Sequence, residues 1–463
     1  MNTDTKNENL EEVLQKTGSA VELLRNSQLG PYVYPVVPAE FTNWRDEQRA
    51  WRESCILFNQ SYHMTDMYVE GPDALRLLTD LGINSFAKFS VNKAKQFVAC
   101  NYDGYVIGDV VLCYLDEQRF NLVGRPSVHN WVQFHCETGG YDATVERDER
   151  AVAQKGPIVR KVYRYQVQGP NAAAVMERTV GKTMPDIKFF NMDVIKIAGR
   201  EVRALRHGMV GQPGWELFGP WEEGEEVRAA IVDAGKDFGL CQSGARTYSS
   251  NTLESGWIPS PMPAVYSGDE MKAFRQWLPG NGYEANASLG GSFYSADITD
   301  YYLTPHDLGY GALIKFDHDF VGRAALEAMQ DQPHRKKVTL VLNAKDVERT
   351  IGSMFQEENN AKFMDWPSAV YATLPYDRVL KDGKTVGVST WCGYSFNERK
   401  MLTLAMLDAE YSEPGTEVVF VWGEENGGSS KPTVERHVQT EMRATVAPAP
   451  FVEFARTTYR SDG

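Results

Sequence analysis

Tyr32, Tyr34, Gln60, His63, Arg125, Glu216 and Tyr248 are the residues in this chain best equipped for chemistry, and all fall in turn-rich segments. Phenols and an imidazole hold or move protons, a guanidinium pairs with an oxyanion, and a carboxylate accepts N–H groups. No familiar catalytic spacing accompanies them. There is no GxxxxGK(S/T) phosphate loop, no strand-borne GxGxxG, no HExxH and no GxSxG elbow. The eight histidines are dispersed without metal-ligand spacing, so no metal is expected. The chemistry must come from an organic cofactor, or from polar groups that only the fold brings together.

Composition narrows the classes. A chain of 463 residues exceeds what one core serves, which predicts two or three domains. A net charge of −14 excludes nucleic acid as the expected partner, because phosphate binding needs a basic face. Cys55, Cys100, Cys113, Cys136, Cys241 and Cys392 are scattered singly, without a CxxC pair, and read as inert thiols of a reducing, cytoplasmic compartment. The acidic start MNTDTKNENLEE lacks the pattern of a signal peptide, and no apolar run approaches the ~20 residues of a membrane span.

The elements that must position these residues follow from periodicity. Leu10, Val13, Leu14, Val21 and Leu24 predict one amphipathic helix over 10–28, broken by the Gly30–Pro35 stretch. Trp44–Ser54 reads as a helix leading into a strand at Cys55–Phe58. MYVEGPDALRLLTDLG at 67–82 and YQVQGPNAAAVMERTVG at 165–181 repeat one strand, Gly-Pro turn and helix unit. The segment 330–336 reads as a linker, and VTLVL, KTVGVST, LTLAML and TEVVFVWG after it read as strands. The prediction is an α+β fold. A region 1–329 holds two related halves, about 55–150 and 155–270, and a connecting segment 271–329; a C-terminal β-rich domain at 336–463 forms an antiparallel sandwich or barrel.

Beyond this the chain resembles a known superfamily, that of the aminomethyltransferases (glycine cleavage T-proteins). The resemblance is carried by the two strand-turn-helix units, NYDGYVIGDVVL at 101–112, GQPGWELFGP at 211–220, NTLESGW at 251–257, KFDHDFVGRAAL at 315–326 and TVGVSTWCGYS at 385–395. A closer likeness covers nearly the whole chain: VELLRNSQLGPYVYPVV, INSF with NKAKQFV, FFNM, LRHGMVGQPGWE, NTLESGWIPSP, GGSF and VWGEENGG are similar to tetrahydrofolate-dependent aryl O-demethylases. The resemblance implies an aminomethyltransferase-like folate-binding fold. It also implies tetrahydrofolate as cofactor and, as substrate, a methoxy-aromatic acid such as syringate, vanillate or 3-O-methylgallate, with a lean to syringate.

The same likeness implies roles. Tyr248 matches the tyrosine that assists the departing phenoxide. Gln60 and His63 match substrate contacts, Arg125 is placed to take the substrate carboxylate, and Tyr32 or Tyr34 lines the ring pocket. Glu216 matches the glutamate that accepts paired N–H groups of the pterin, and Gln166 and Trp257 match further folate contacts. Asp109 falls where T-proteins carry paired aspartates, with Gly108 replacing the first; it is either catalytic or a structural cap. The relatives carry His where this chain has Tyr62. The rival readings are an aminomethyltransferase or sulfonium demethylase of the same fold, and a folate-binding protein without activity.

Overall fold

The computed structural model describes residues 8–32, 34–258 and 261–458, so the ends of the two expected regions, 1–7 and 459–463, lie outside it. Two large sheets, a two-stranded parallel pair Leu289–Gly290 with Leu374–Pro375, and a closed barrel make up the sheet architecture of the described residues. One sheet orders its strands Leu240–Gln242, Cys55–Asn59, Val162–Gln168, Gly214–Pro220, Arg200–Arg206 and Met192–Ile197. The other runs Ala94–Cys100, Val106–Asp116, Arg119–Gly124, Thr65–Glu70 and Thr144–Asp148. The six strands Lys336–Leu342, Asp377–Lys381, Lys384–Ser395, Lys400–Leu407, Glu417–Trp422 and Thr440–Ala447 close on themselves, every pairing antiparallel. Of the two C-terminal alternatives, the barrel is the one found.

Alternation explains the central strand. Tyr163, Tyr165 and Val167 point into an apolar cluster with Val175, Met176, Val227 and Ile231 of the flanking helices Ala172–Val180 and Gly224–Gly235. The other phase, Arg164, Gln166 and Gln168, is also buried, so it must find polar partners on the opposite face. The two Gly-Pro turns share their geometry. Gly71 and Gly169 have φ of 136° and 127°, and a Cβ there would sit 2.5 Å from the Asp142 carbonyl oxygen or 2.6 Å from that of Ser54. In both units the residue after the proline donates its N–H to that same carbonyl, Asp73 at 3.1 Å and Asn171 at 2.9 Å.

One expectation needs correction. The helix over 10–28 is two helices, Leu10–Thr17 and Ala20–Arg25. Gly18 takes the left-handed conformation, φ 74°, and closes the first, while the Ser19 hydroxyl caps the second by accepting from the Glu22 N–H. Asp109, read as either catalytic or a structural cap, lies inside the strand Val106–Asp116.

Candidate active site

Tyr248 is placed by the helix Trp44–Glu53, which begins where the Asn43 side chain accepts from the Asp46 N–H. Three of its side chains grip the segment carrying Tyr248. Glu47 accepts from the Gly244 N–H at 2.8 Å and from the Thr247 hydroxyl, Gln48 donates to Ser250 Oγ at 2.8 Å, and Trp51 donates to Glu254 at 2.9 Å. Gly244 is required there, since a Cβ would stand 2.3 Å from the Ala39 carbonyl oxygen. From the barrel, the Trp391 indole donates to the Ser249 carbonyl at 3.1 Å, and Ser395 donates to Glu254 at 2.7 Å. The short helix Ala245–Tyr248 is thereby held from two sides.

Tyr248 meets residues from the far end of the sequence. Its hydroxyl lies 2.6 Å from His63 Nε2, its ring stacks on Tyr34 at 4.0 Å and 19°, and Phe58 meets it edge-on at 5.8 Å. The Tyr34 hydroxyl donates to the Asn59 carbonyl and the Tyr32 hydroxyl to the His63 carbonyl, so both tyrosines fasten the turn that presents His63. Burial drives the His63 imidazole down to about 3, reinforced by the positive charge of Arg125, and drives the Tyr248 phenol well above its ordinary value. At neutral pH the pair is therefore a neutral imidazole and a protonated phenol.

Gln60 donates to Gln166 Oε1 at 3.1 Å and to the Met209 sulfur, while Gln166 donates to the His207 carbonyl at 3.2 Å. Arg125 lies over Tyr32, 4.6 Å from Cζ to the ring centroid. Three buried polar atoms here have no hydrogen-bond partner among the described residues: Gln60 Oε1, His63 Nδ1 and Arg125 Nη1. Orphaned buried groups are rare and costly, so their convergence marks a place for a polar ligand.

Asp109 and Trp257 form the second part of the site. Asp109 accepts from the Trp257 indole at 3.1 Å and from the Gln96 amide at 2.8 Å, and burial raises its carboxyl above the usual range against those two donors. Asp109, Arg125, Ser127, Tyr283 and Pro261 border one cavity that opens to solvent. Gly108 is on its wall too, where the absent aspartate would have stood.

Glu216 sits opposite Gln166 in the sheet register, on the buried polar face. Arg164 donates to it, and also to Asp66 at 2.6 Å and to Asn121 at 3.0 Å. Arg160 joins Asp66 and Asp148, each at 2.9 Å. This network links the two sheets, and none of Arg164, Arg160, Asp66 or Met209 was singled out from the sequence. The available signal was the buried polar phase of YRYQVQ. Tyr62 stands apart, edge-on to Trp221 at 5.6 Å. Among the described residues no His, Cys, Asp and Glu group suits a metal, and no helix is long and apolar enough to cross a membrane.

Residues 15–260 match the model of the GCVT N-terminal domain family. The chain is 56% identical over 450 residues to the syringate O-demethylase of a Sphingobium sp. strain, covering 97% of each protein. It is 28% identical to the sesamin methylene transferase of a Sinomonas sp. strain, over 91% of each, and 25% identical to an aminomethyltransferase of Caldanaerobacter subterraneus subsp. tengcongensis, over 86% of this chain and 88% of that one. The crystal structure of aminomethyltransferase T from Bartonella henselae aligns over 96% of both chains with a TM-score of 0.61 at 18% identity, a likeness of fold.

Proposed function

We propose that this chain, which belongs to the GCVT family of aminomethyltransferase-like proteins, is an O-demethylase that moves the methyl group of a methoxy-aromatic acid to tetrahydrofolate. Tetrahydrofolate, when bound, supplies N5 as the methyl acceptor. The cavity bordered by Asp109, Arg125, Ser127 and Tyr283 offers a donor and acceptor set that suits a polar heterocycle and an aromatic acid. Glu216, Gln166, Trp257 and Asp109 are the residues read as holding the folate.

An aryl methyl ether reacts slowly because its leaving group is a phenoxide, so the oxygen needs a proton as the C–O bond breaks. Tyr248 is read as that acid. With the neutral His63 ring at its oxygen, a phenol that resists ionisation stays protonated until the ether oxygen demands the proton. If Nε2 carries the imidazole proton, it donates to Tyr248 Oη and frees the hydroxyl to point at the substrate. Arg125 pairs with the aryl carboxylate, Gln60 bonds the ring oxygens, and Tyr34 and Tyr32 wall the ring. Region 1–329 is read as holding both ligands, with the barrel of 336–463 as its buttress, in a reducing cytoplasm that suits six free thiols.

The single observation that carries this reading is the contact of the half-buried Tyr248 with the buried His63, sharing its surroundings with an unpartnered Arg125 nitrogen. Incubation with tetrahydrofolate and, separately, syringate, vanillate and 3-O-methylgallate tests it, with 5-methyltetrahydrofolate as the readout. Syringate is expected to turn over fastest, in keeping with the 56% identical relative. No methyl transfer from any of the three would overturn the proposal.

A further inference from the structure

Arg150 closes the charged run Glu146-Arg147-Asp148-Glu149-Arg150, and the other four members of that run are paired. Glu146 meets Lys161, Arg147 meets Glu149 at 2.7 Å, and Asp148 meets Arg160 at 2.9 Å. Glu149, the acid nearest Arg150 in sequence, also accepts from the Thr65 hydroxyl at 3.0 Å. Arg150 has no carboxylate partner among the described residues, and its Nε is buried without a hydrogen bond. Instead the guanidinium turns onto two aromatic rings, with Cζ 4.9 Å from the centroid of Tyr283 and 5.8 Å from that of Tyr32.

Both rings belong to the site. Tyr283 borders the same cavity as Arg125, and Tyr32 carries Arg125 at 4.6 Å and donates to the His63 carbonyl. Two guanidiniums without acidic partners thus converge on one tyrosine in a protein of net charge −14. Repulsion and desolvation both disfavour such a pair of cations unless an anion is destined for the space beside it. We propose that Arg150 is a second cation of the substrate-carboxylate site, sharing the aryl carboxylate with Arg125 and selecting acids over neutral aryl ethers. Cation–π contact with Tyr32 and Tyr283 holds both guanidiniums in place before the substrate arrives.

This inference rests on the demethylase reading, and equilibrium binding tests it separately from turnover. Wild type, Arg150→Gln, Arg125→Gln and the double variant are titrated with syringate, with its neutral amide and with tetrahydrofolate, after thermal melts confirm folding. Arg150→Gln is expected to weaken syringate roughly ten-fold or more, the loss typical of a charged hydrogen bond, and to leave the amide and folate within two-fold. The two single substitutions should be non-additive in the double variant, because they share one ligand group. Arg150→Lys should recover part of the loss. Unchanged syringate affinity, equal weakening of acid and amide, or weakening confined to folate (whose glutamyl tail is the other carboxylate in the system) would each overturn the assignment. A wild type that binds syringate without demethylating it would sink the proposed reaction while leaving the clamp standing.

Discussion

Replacing Tyr248 by Phe removes one oxygen and little else, which makes it the sharpest test of the chemistry. The ring keeps its stack on Tyr34 at 4.0 Å and its edge contact with Phe58 at 5.8 Å, so the pocket wall stays in place. What disappears is the hydroxyl proposed as the proton donor and its 2.6 Å contact with His63 Nε2. A positioned general acid contributes about 10²–10⁴-fold, so single-turnover formation of 5-methyltetrahydrofolate should slow by that factor. His63 already has an unpartnered Nδ1, and losing its Nε2 partner leaves a second buried polar atom unsatisfied, at a cost of about 1–3 kcal/mol in unfolding free energy. Affinity for syringate and folate, followed by calorimetry, should change by only a few-fold. The pH profile adds an independent check. Because burial lifts the phenol above its ordinary value, the wild-type rate should show no alkaline loss from Tyr248 below about pH 10. A variant that turns over within ten-fold of wild type would refute the acid role outright. So would an alkaline limb centred near pH 8 that vanishes in the variant.

Three further outcomes follow from the same geometry. Arg164→Met strips Glu216 and Asp66 of a shared buried cation and should lower unfolding free energy by about 3–5 kcal/mol, measured in urea; tetrahydrofolate affinity should fall with it, since Glu216 loses the bond that aims it. His63, held near 3 when folded against an ordinary value of 6.5, contributes stability that is present above pH 6.5 and lost as pH falls toward 3, so His63→Gln should flatten the melting-temperature profile across that window. His129 and His135, each near 4, share the window, and the slope should shrink rather than vanish. Asp377 shows the opposite sign: burial raises it to about 6, so the stability of its protonated form is present below 3.8 and lost as pH rises through 6. Asp377→Asn should therefore raise the melting temperature at pH 7–8 and leave it unchanged near pH 4.

The fold was most legible where one rule governs one element. Aliphatic and β-branched runs between turn signals mark the strands from VTLVL to TEVVFVWG, and Gly-Pro punctuation marks the two units around Gly71 and Gly169, because both signals are local. The helix break at Gly18-Ser19 was equally local and was overlooked because the apolar period runs through it. The strands Asp377–Lys381 and Thr440–Ala447 carry a weaker signal for another reason. In the second, Met442, Ala444 and Val446 alternate with charged or polar residues, so its mean character is polar although one face lies in the barrel core.

The site residues were legible as types and not as partners. His63 and Tyr248 lie 185 positions apart, and nothing in either neighbourhood encodes the 2.6 Å that separates them. Arg164, buried, and Arg150, half-buried, show why cations drawn out of water are the hardest case. In a sequence both look like ordinary solvated charge, Arg164 within a strand and Arg150 at the end of an acidic-basic run. Only the packing of one sheet on the other shows that Arg164 is consumed by Asp66 and Glu216, whereas Arg150 is left with two tyrosine rings and no acid. A buried cation already matched by acids contributes to holding the sheets together. A half-buried one without a match, stacked on the Tyr283 ring that borders the cavity, has its counter-charge still to come, and that difference separates a structural arginine from one that selects its ligand.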